Sequence, residues 1–115
     1  MRKIEKPWGY EEIWAQTEKY VGKMLTILPG HRLSLQYHEI KEETIYVLEG
    51  ELLVWTSEDE NTVYRVGKGT TYHVNPKQIH RFGVPKGNQL TRLIEVSTPE
   101  LDDVVRIADD YNRDV

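Results

Sequence analysis

The sequence predicts an all-β fold, a barrel or sandwich of roughly eight or nine short strands, with one short helix near the C-terminus. Two observations carry the prediction: apolar, β-branched-rich segments recur about every 8–12 residues, and glycine, proline or polar turn residues separate them. The segments expected to be strands are 20–28, 32–38, 43–48, 51–55, 62–66, 70–74, 79–84 and 90–96.

Residues 100–108 are the segment with helical character. Leu101, Val104, Val105 and Ala108 recur at i, i+3, i+4 and i+7, which is the spacing of one helix face. The Thr-Pro-Glu sequence before this stripe is typical of a helix start. We therefore expect a short helix that packs its apolar stripe against the barrel.

The chain has 115 residues, which is enough for one domain and too few for two. We expect a single domain over 1–115, with an N-terminal arm at 1–10 and the helix plus an acidic tail at 99–115. No apolar run approaches the roughly 20 residues of a membrane helix, and no apolar stretch follows the basic N-terminus as in a secretory signal. The sequence contains no cysteine, which excludes disulfides and thiolate chemistry and favours a cytoplasmic location.

The formal net charge of −4 is unevenly distributed. Acidic and basic side chains balance over residues 1–97, and the acidic excess lies in residues 99–115. A nucleic-acid-binding protein would show a basic stripe. The sequence therefore predicts neither a nucleic-acid partner nor a membrane partner.

Polar residues share one face of the predicted strand 32–38. Gln36 and His38 are two residues apart and project from that face, although a plain surface strand would also explain it. Glu43 begins the next strand, and His80 begins a later strand whose following residues alternate inward. Two imidazoles, a carboxylate and an amide oxygen suit one divalent ion of Zn, Mn, Fe, Co or Ni, with room for water or substrate.

The spacing of these residues resembles the first motif of the cupin superfamily, G-x5-HxH-x3–4-E-x6-G. The corresponding segment here reads Gly30-x5-Gln36-Tyr37-His38-x4-Glu43-x6-Gly50. The second cupin motif is kept only at Gly69 and His80. The resemblance implies a cupin fold, which is a double-stranded β-helix or jelly-roll barrel.

Three segments narrow the resemblance to the type II phosphomannose isomerases, or mannose-6-phosphate isomerases. They are KPWGY at 6–10, PGHRLSLQYH at 29–38 and DVVRIADDYNR at 103–113. The resemblance implies a metal shell of Gln36, His38, Glu43 and His80 in a homodimer. Its substrate would be a phosphorylated sugar, interconverted between mannose 6-phosphate and fructose 6-phosphate. The family's HHHRAEHW segment is altered here to HEIKEETI at 38–45.

An aldose–ketose isomerase needs a general base to move a proton between two carbons. Glu42, Lys41 and a metal-bound hydroxide are the alternatives, and the sequence leaves all three open. Glu42 also competes with Glu43 as a ligand, although its side chain is expected on the opposite face.

Arg32 and Arg113 are the candidate substrate-binding residues. Arg32 shares the predicted polar face, where it would pair either with an anionic substrate or with a carboxylate of the barrel. Arg113, with Tyr111, resembles residues at the family's active-site mouth, and an exposed tail is the alternative. His31 and His73 match no motif position and are expected at the surface or beside the ligands.

Two other functions remain alternatives at this point. One is another metal-dependent cupin enzyme of the oxygenase type, which uses a similar ligand set with Fe²⁺. The other is a non-catalytic module that binds a metal or a sugar.

Overall fold

The computed structural model describes residues 1–113, which form eleven β-strands and no helix. The strands are β1 Arg2–Lys6, β2 Gly9–Gln16, β3 Val21–Ile27, β4 Leu35–Tyr37, β5 Glu43–Glu49, β6 Leu52–Trp55, β7 Val63–Val66, β8 Thr71–Val74, β9 Arg81–Gly83, β10 Thr91–Ser97 and β11 Val105–Ala108. The expectation of an all-β fold is confirmed. Across these residues the structure contains no helix that could span a membrane.

The strands form three antiparallel sheets. The largest has the order β1-β2-β3-β10-β5-β8, and the others have the orders β7-β6-β9 and β11-β4. Non-consecutive neighbours, such as β3 and β10, are joined by long connections across the barrel, as in a jelly roll. Apolar side chains from the two larger sheets meet in one core that includes Leu25, Ile45, Val54, Phe82 and Leu93.

Strand alternation makes one end of this interior polar. On β10, Leu93 and Glu95 occupy successive inward positions, and both are buried. On β5, Glu43 precedes the inward Ile45. Lys23 lies directly across the ladder from Glu95. The same strands that build the apolar core therefore carry charged groups into its end.

The expected helix at 100–108 is wrong. Residues 101–102 form a turn, and Val105–Ala108 is the strand β11. β11 pairs with β4, whose other side is already bridged between Gln36 and His80. A helix would leave that edge of β4 without a partner, and the β-branched residues of the segment suit a strand.

Residues 1–10 and 109–113 have more fixed structure than the expected arm and tail. The expected arm at 1–10 forms β1 and the start of β2, paired through five residues of β1. In the tail, Asp109 accepts hydrogen bonds from the Arg113 backbone and guanidinium, at 2.7 and 2.8 Å. The last two residues, 114–115, which include one acid of the expected tail, lie outside the described residues.

A one-residue irregularity in the strand pairing turns the Arg32 side chain away from the polar face on which the sequence predicts it. Gln36 pairs with His80 and Arg32 pairs with Gly83, so residues 33–35 face only residues 81–82. An extra residue of this kind is a β-bulge, and it reverses the side-chain alternation beyond it. Arg32 therefore projects to the side opposite Gln36.

At Gly9, at the start of β2, the backbone of β3 leaves no room for a side chain. Its φ is +151°, and a Cβ added there would lie 1.9 Å from the carbonyl oxygen of Thr26. The neighbouring Trp8 is buried in the core, and its carbonyl accepts a hydrogen bond from Leu28 N–H at 3.0 Å. The Trp-Gly pair of the N-terminal motif thus fixes an indole in the barrel next to a backbone contact that only glycine allows.

Gly9→Ala is expected to lower the free energy of unfolding by about 3 kcal/mol, because the strand must move or remain strained. Gly67→Ala is the matched control, since its Cβ would meet nothing within 4 Å. That variant should change stability by about 0.5 kcal/mol or less. Urea denaturation of both variants measures the difference, and equal midpoints would contradict the close approach at Gly9.

Candidate metal centre

His38, Glu43 and His80 converge at the polar end of the barrel. One potential ligand atom from each lies within 4.8 Å of the others, and all three residues are buried. The Nε2 atoms of His38 and His80 are 3.8 and 3.5 Å from Glu43 Oε1. Two residues at the ends of one short loop, His38 and Glu43, and the distant His80 therefore present two nitrogens and an oxygen to one point.

Backbone carbonyls orient both imidazoles. His38 Nδ1 donates to the carbonyl of Asp103 at 2.6 Å, and His80 Nδ1 donates to the carbonyl of Gln78 at 3.0 Å. A carbonyl only accepts, so each Nδ1 carries the proton. Each Nε2 is buried and has no hydrogen-bond partner among residues 1–113. Two inward-facing nitrogen lone pairs beside a carboxylate fit a divalent cation, and a carbonyl on the second nitrogen is the usual support for such a ligand.

Gln36 lies next to these groups. Its backbone exchanges two hydrogen bonds with His80, at 3.0 and 2.9 Å, so the two side chains lie side by side on one face of the ladder. Gln36 Oε1 accepts a hydrogen bond from the Ser34 hydroxyl at 2.6 Å, which leaves the oxygen a second lone pair. An amide oxygen is a suitable further ligand for the same class of ion.

Glu43 belongs to a buried network of charges. Lys41 Nζ lies 3.0 Å from Glu43 Oε2 and 3.2 Å from Glu95 Oε2. Burial lowers the pKa of Lys41, but the two carboxylates outweigh it, so that pKa is raised. Lys41 is therefore held as an ammonium.

Glu42 points away from this cluster. Its Oε2 lies 2.8 Å from His73 Nε2, and both side chains are close to half exposed. The other ring nitrogen of His73 lies 2.8 Å from the hydroxyl of Thr44. Of the two side chains considered as bases, Lys41 faces the cluster and Glu42 does not.

The two candidate substrate-binding arginines lie in different places. Arg32 is held by Asp110, through bonds of 2.6 and 2.9 Å, and by Glu60, through bonds of 2.7 and 3.0 Å. Its side chain does not line the cavity described below. Arg113 does line the cavity and is paired with Asp109 at 2.8 Å.

Tyr111 and His31 contact each other and support the C-terminal residues. The His31 Nδ1 and the Tyr111 hydroxyl are 2.7 Å apart, and the two rings stack with centroids separated by 6.1 Å. Tyr111 is partly buried against the core. His31 therefore contacts the C-terminal residues and is not part of the convergent cluster.

A cavity of about 100 Å³ opens onto the cluster and is lined by Gln36, His38 and Glu43. Its cationic lining residues are Lys6, Lys23, Lys41, Arg106 and Arg113, and its anionic ones are Glu11, Glu43, Glu95 and Asp103. A divalent ion added to this nearly balanced lining would make the cavity positive, which favours an anionic ligand.

Sequence reasoning missed Glu95 and Asp103. Glu95 is buried, and its Oε2 has no hydrogen-bond partner among residues 1–113, although the Lys41 ammonium is nearby. Burial, followed by the charge of Glu43, raises the pKa of Glu95 above its ordinary value. One signal was readable: Glu95 is a charged residue at the same strand parity as the apolar Leu93.

The fold and this arrangement of ligand-type residues define the class of the protein, a cupin. The polyketide cyclase RemF from Streptomyces resistomycificus superposes with a TM-score of 0.77 at 21% identity, over 93% of this chain and 76% of that one. An RmlC-like cupin from Shewanella frigidimarina superposes with a TM-score of 0.73 at 17% identity, over 88% and 86%. At these identities the likeness concerns the fold.

Within that class, the chain belongs to the family described as mannose-6-phosphate isomerase C-terminal, whose model matches residues 1–109. A mannose-1-phosphate guanylyltransferase from Escherichia coli K12 is 32% identical over 115 residues, which covers 97% of this chain and 23% of the relative. The chain thus spans about a quarter of the length of the curated relatives it matches.

Proposed function

We propose that this chain is a metal-dependent sugar-phosphate isomerase that interconverts mannose 6-phosphate and fructose 6-phosphate. The single observation that carries the proposal is the pair of buried, partnerless Nε2 atoms aimed at Glu43. Membership of the mannose-6-phosphate isomerase C-terminal family supports the substrate pair. The basic side chains that line the cavity support an anionic substrate.

In this proposal Gln36, His38, Glu43 and His80 hold one divalent ion of Zn, Mn, Fe, Co or Ni. A bound ion would polarise the carbonyl and hydroxyl oxygens of the substrate and so acidify the C–H bond beside them. Lys41 would contribute a fixed positive charge to the cavity wall, 3.0 Å from Glu43, and this charge would favour negative charge that develops on the substrate. Arg113 lines the same cavity and is the candidate for the phosphate.

Glu95 is the proposed proton-transfer group. Glu11 is engaged by Lys6 and Lys23, at 3.7 and 3.2 Å. The Asp103 carboxylate already accepts hydrogen bonds from three backbone N–H groups. Glu95 Oε2 also lies 3.2 Å from the Lys41 ammonium, but this ion pair lacks hydrogen-bond geometry, whereas Lys23 donates a hydrogen bond to Glu11. Among the cavity carboxylates outside the proposed metal shell, Glu95 is therefore the one with a buried oxygen that accepts no hydrogen bond from residues 1–113.

The reaction on Glu95 balances without any further reactant. In the aldose-to-ketose direction, the C–H bond at the hydroxyl-bearing carbon breaks, its proton goes to Glu95, and its electron pair forms the carbon–carbon double bond of an enediol. Glu95 then returns the proton to the former carbonyl carbon. The hydroxyl proton passes from one oxygen to the other, so isomerisation leaves Glu95 in its starting state.

A second candidate function is favoured by the size of the cavity. At about 100 Å³ it is smaller than the roughly 300 Å³ at the lower end of small-molecule sites. A module that binds a metal and a small anion without turnover would need no more space. As an isomerase, the chain would have to enlarge the cavity when a hexose phosphate enters.

A homodimer and a cytoplasmic location are further parts of the proposal. The outer face of the large sheet exposes apolar side chains, among them Trp14 at 48%, Tyr46 at 40% and Val96 at 50%. Such a patch is typical of an association surface.

The metal shell is tested by His38→Ala and His80→Ala, with His73→Ala as the control. Each of the first two variants removes one of the convergent nitrogens, so metal affinity should fall by more than the roughly 10- to 100-fold typical of residues that only support a ligand. His73 is paired with Glu42 on the outer face, so its variant should retain metal. Metal content after dialysis measures all three, and equal content in all of them would contradict the assignment.

Glu95→Gln tests the proton-transfer step in metal-loaded protein. The variant keeps the side-chain shape but removes the base, so kcat for mannose 6-phosphate should fall about 10²- to 10⁴-fold. Glu11→Gln is the matched control, because Glu11 is a buried glutamate of the same cavity that is already engaged by lysines. Wild-type turnover that survives in Glu95→Gln would exclude Glu95. No wild-type turnover with any of the five metals would favour the binding module.

A further inference from the structure

The loop at residues 38–42 joins two of the proposed ligands and has little packing of its own. It begins at His38 and leads into Glu43, and it carries Lys41 into the cavity. Glu39 and Ile40 at its tip are exposed, Ile40 by 67%. Since hydrophobic burial does not hold the tip, hydrogen bonds must determine its conformation.

Asp103 supplies those hydrogen bonds from the other end of the sequence. Its Oδ1 accepts from Glu39 N–H at 3.0 Å, and its Oδ2 accepts from Ile40 and Lys41 N–H at 2.8 and 2.9 Å. Three successive backbone N–H groups directed at one carboxylate form an anion-binding nest. Burial raises the pKa of Asp103, but these three bonds outweigh it and the pKa is lowered, so the carboxylate stays ionised at neutral pH.

The backbone around Asp103 completes the attachment. The Asp103 carbonyl accepts from His38 Nδ1 at 2.6 Å and thereby sets the direction of the proposed ligand nitrogen. Thr98 accepts from Glu42 N–H through its hydroxyl at 3.0 Å, and its own N–H donates to the Glu42 carbonyl at 3.0 Å. Every residue of the loop is therefore bonded to the C-terminal segment, which we define as residues 98–108.

We propose that Asp103 is a positioning residue for the metal centre, and that divalent-metal binding and docking of the C-terminal segment stabilise each other. The inference rests on the metal centre proposed above, and it does not depend on the isomerase reaction. It gives the first residue of the C-terminal DVVR motif a physical role. The acid holds the ligand loop with its side chain and a ligand imidazole with its carbonyl.

Reciprocity follows from thermodynamic linkage. If docking of the C-terminal segment orients His38 for the ion, then a bound ion must favour the docked segment by the same factor. The strand β11 should report this coupling, because it lies in the same segment and pairs with β4, which carries Gln36. Asp103 makes both kinds of contact, with its carboxylate to the loop and with its carbonyl to His38.

The test uses Co²⁺ as the probe with Asp103→Asn and the control Asp59→Asn. The asparagine replaces one acceptor oxygen by an NH₂ group that faces backbone donors, so Co²⁺ affinity should fall about 10- to 100-fold in competition with a chelator. Asp59 also accepts a backbone N–H and a hydroxyl, at 3.0 and 2.7 Å, in a loop outside the cavity. Its variant should bind Co²⁺ as the wild type does.

Hydrogen exchange gives a readout that requires no variant. Saturating Co²⁺ should slow amide exchange at residues 39–41 and 105–108 of the wild type, and Asp103→Asn should lose this response at 39–41. Unchanged Co²⁺ affinity in Asp103→Asn, or no Co²⁺-induced change at 105–108 in the wild type, would overturn the coupling. A wild type that binds no Co²⁺ would overturn the metal centre itself, and neither readout depends on sugar turnover.

Discussion

The interior charges at one end of the barrel are the constraint on which the rest of the site depends. Alternation on β10 and β5 places Glu95 and Glu43 inside, where an unpaired carboxylate would cost several kcal/mol. Lys41 lies within 3.2 Å of both and compensates part of that cost. Within residues 1–113, Glu95 Oε2 and the two imidazole nitrogens beside Glu43 still lack a hydrogen-bond partner, and a cation would suit the two nitrogens. The proposed metal ion would supply the partner that these two nitrogens lack.

Distant backbone atoms decide how these side chains point. The imidazoles of His38 and His80 are turned by carbonyls that belong to the C-terminal segment and to the turn before β9. The same C-terminal segment adds β11 to the edge of β4 and closes one side of the cavity. The C-terminal segment therefore supports the proposed metal centre, although it supplies no proposed ligand.

The sequence predicted the all-β cupin fold, and the structure brings His38, Glu43 and His80 together as the motif spacing predicts. The prediction failed where pairing between distant segments decided the outcome. The apolar stripe at 100–108 suited a helix, but the open edge of β4 required a strand. Strand alternation predicts Arg32 on the same face as Gln36, but a one-residue bulge turns the Arg32 side chain to the opposite face. There it pairs with Asp110 and Glu60. Neither event leaves a signature in the residues concerned.

X-ray absorption at the cobalt edge of Co²⁺-loaded protein tests the proposed ligand set, because it reports the atoms around the ion. We expect two imidazole nitrogens, from His38 and His80, with oxygen ligands and no sulfur. His80→Ala should reduce the imidazole signal to one ring, and His73→Ala should leave it unchanged. A spectrum of oxygen ligands alone, or an imidazole signal that does not respond to His80→Ala, would contradict the account.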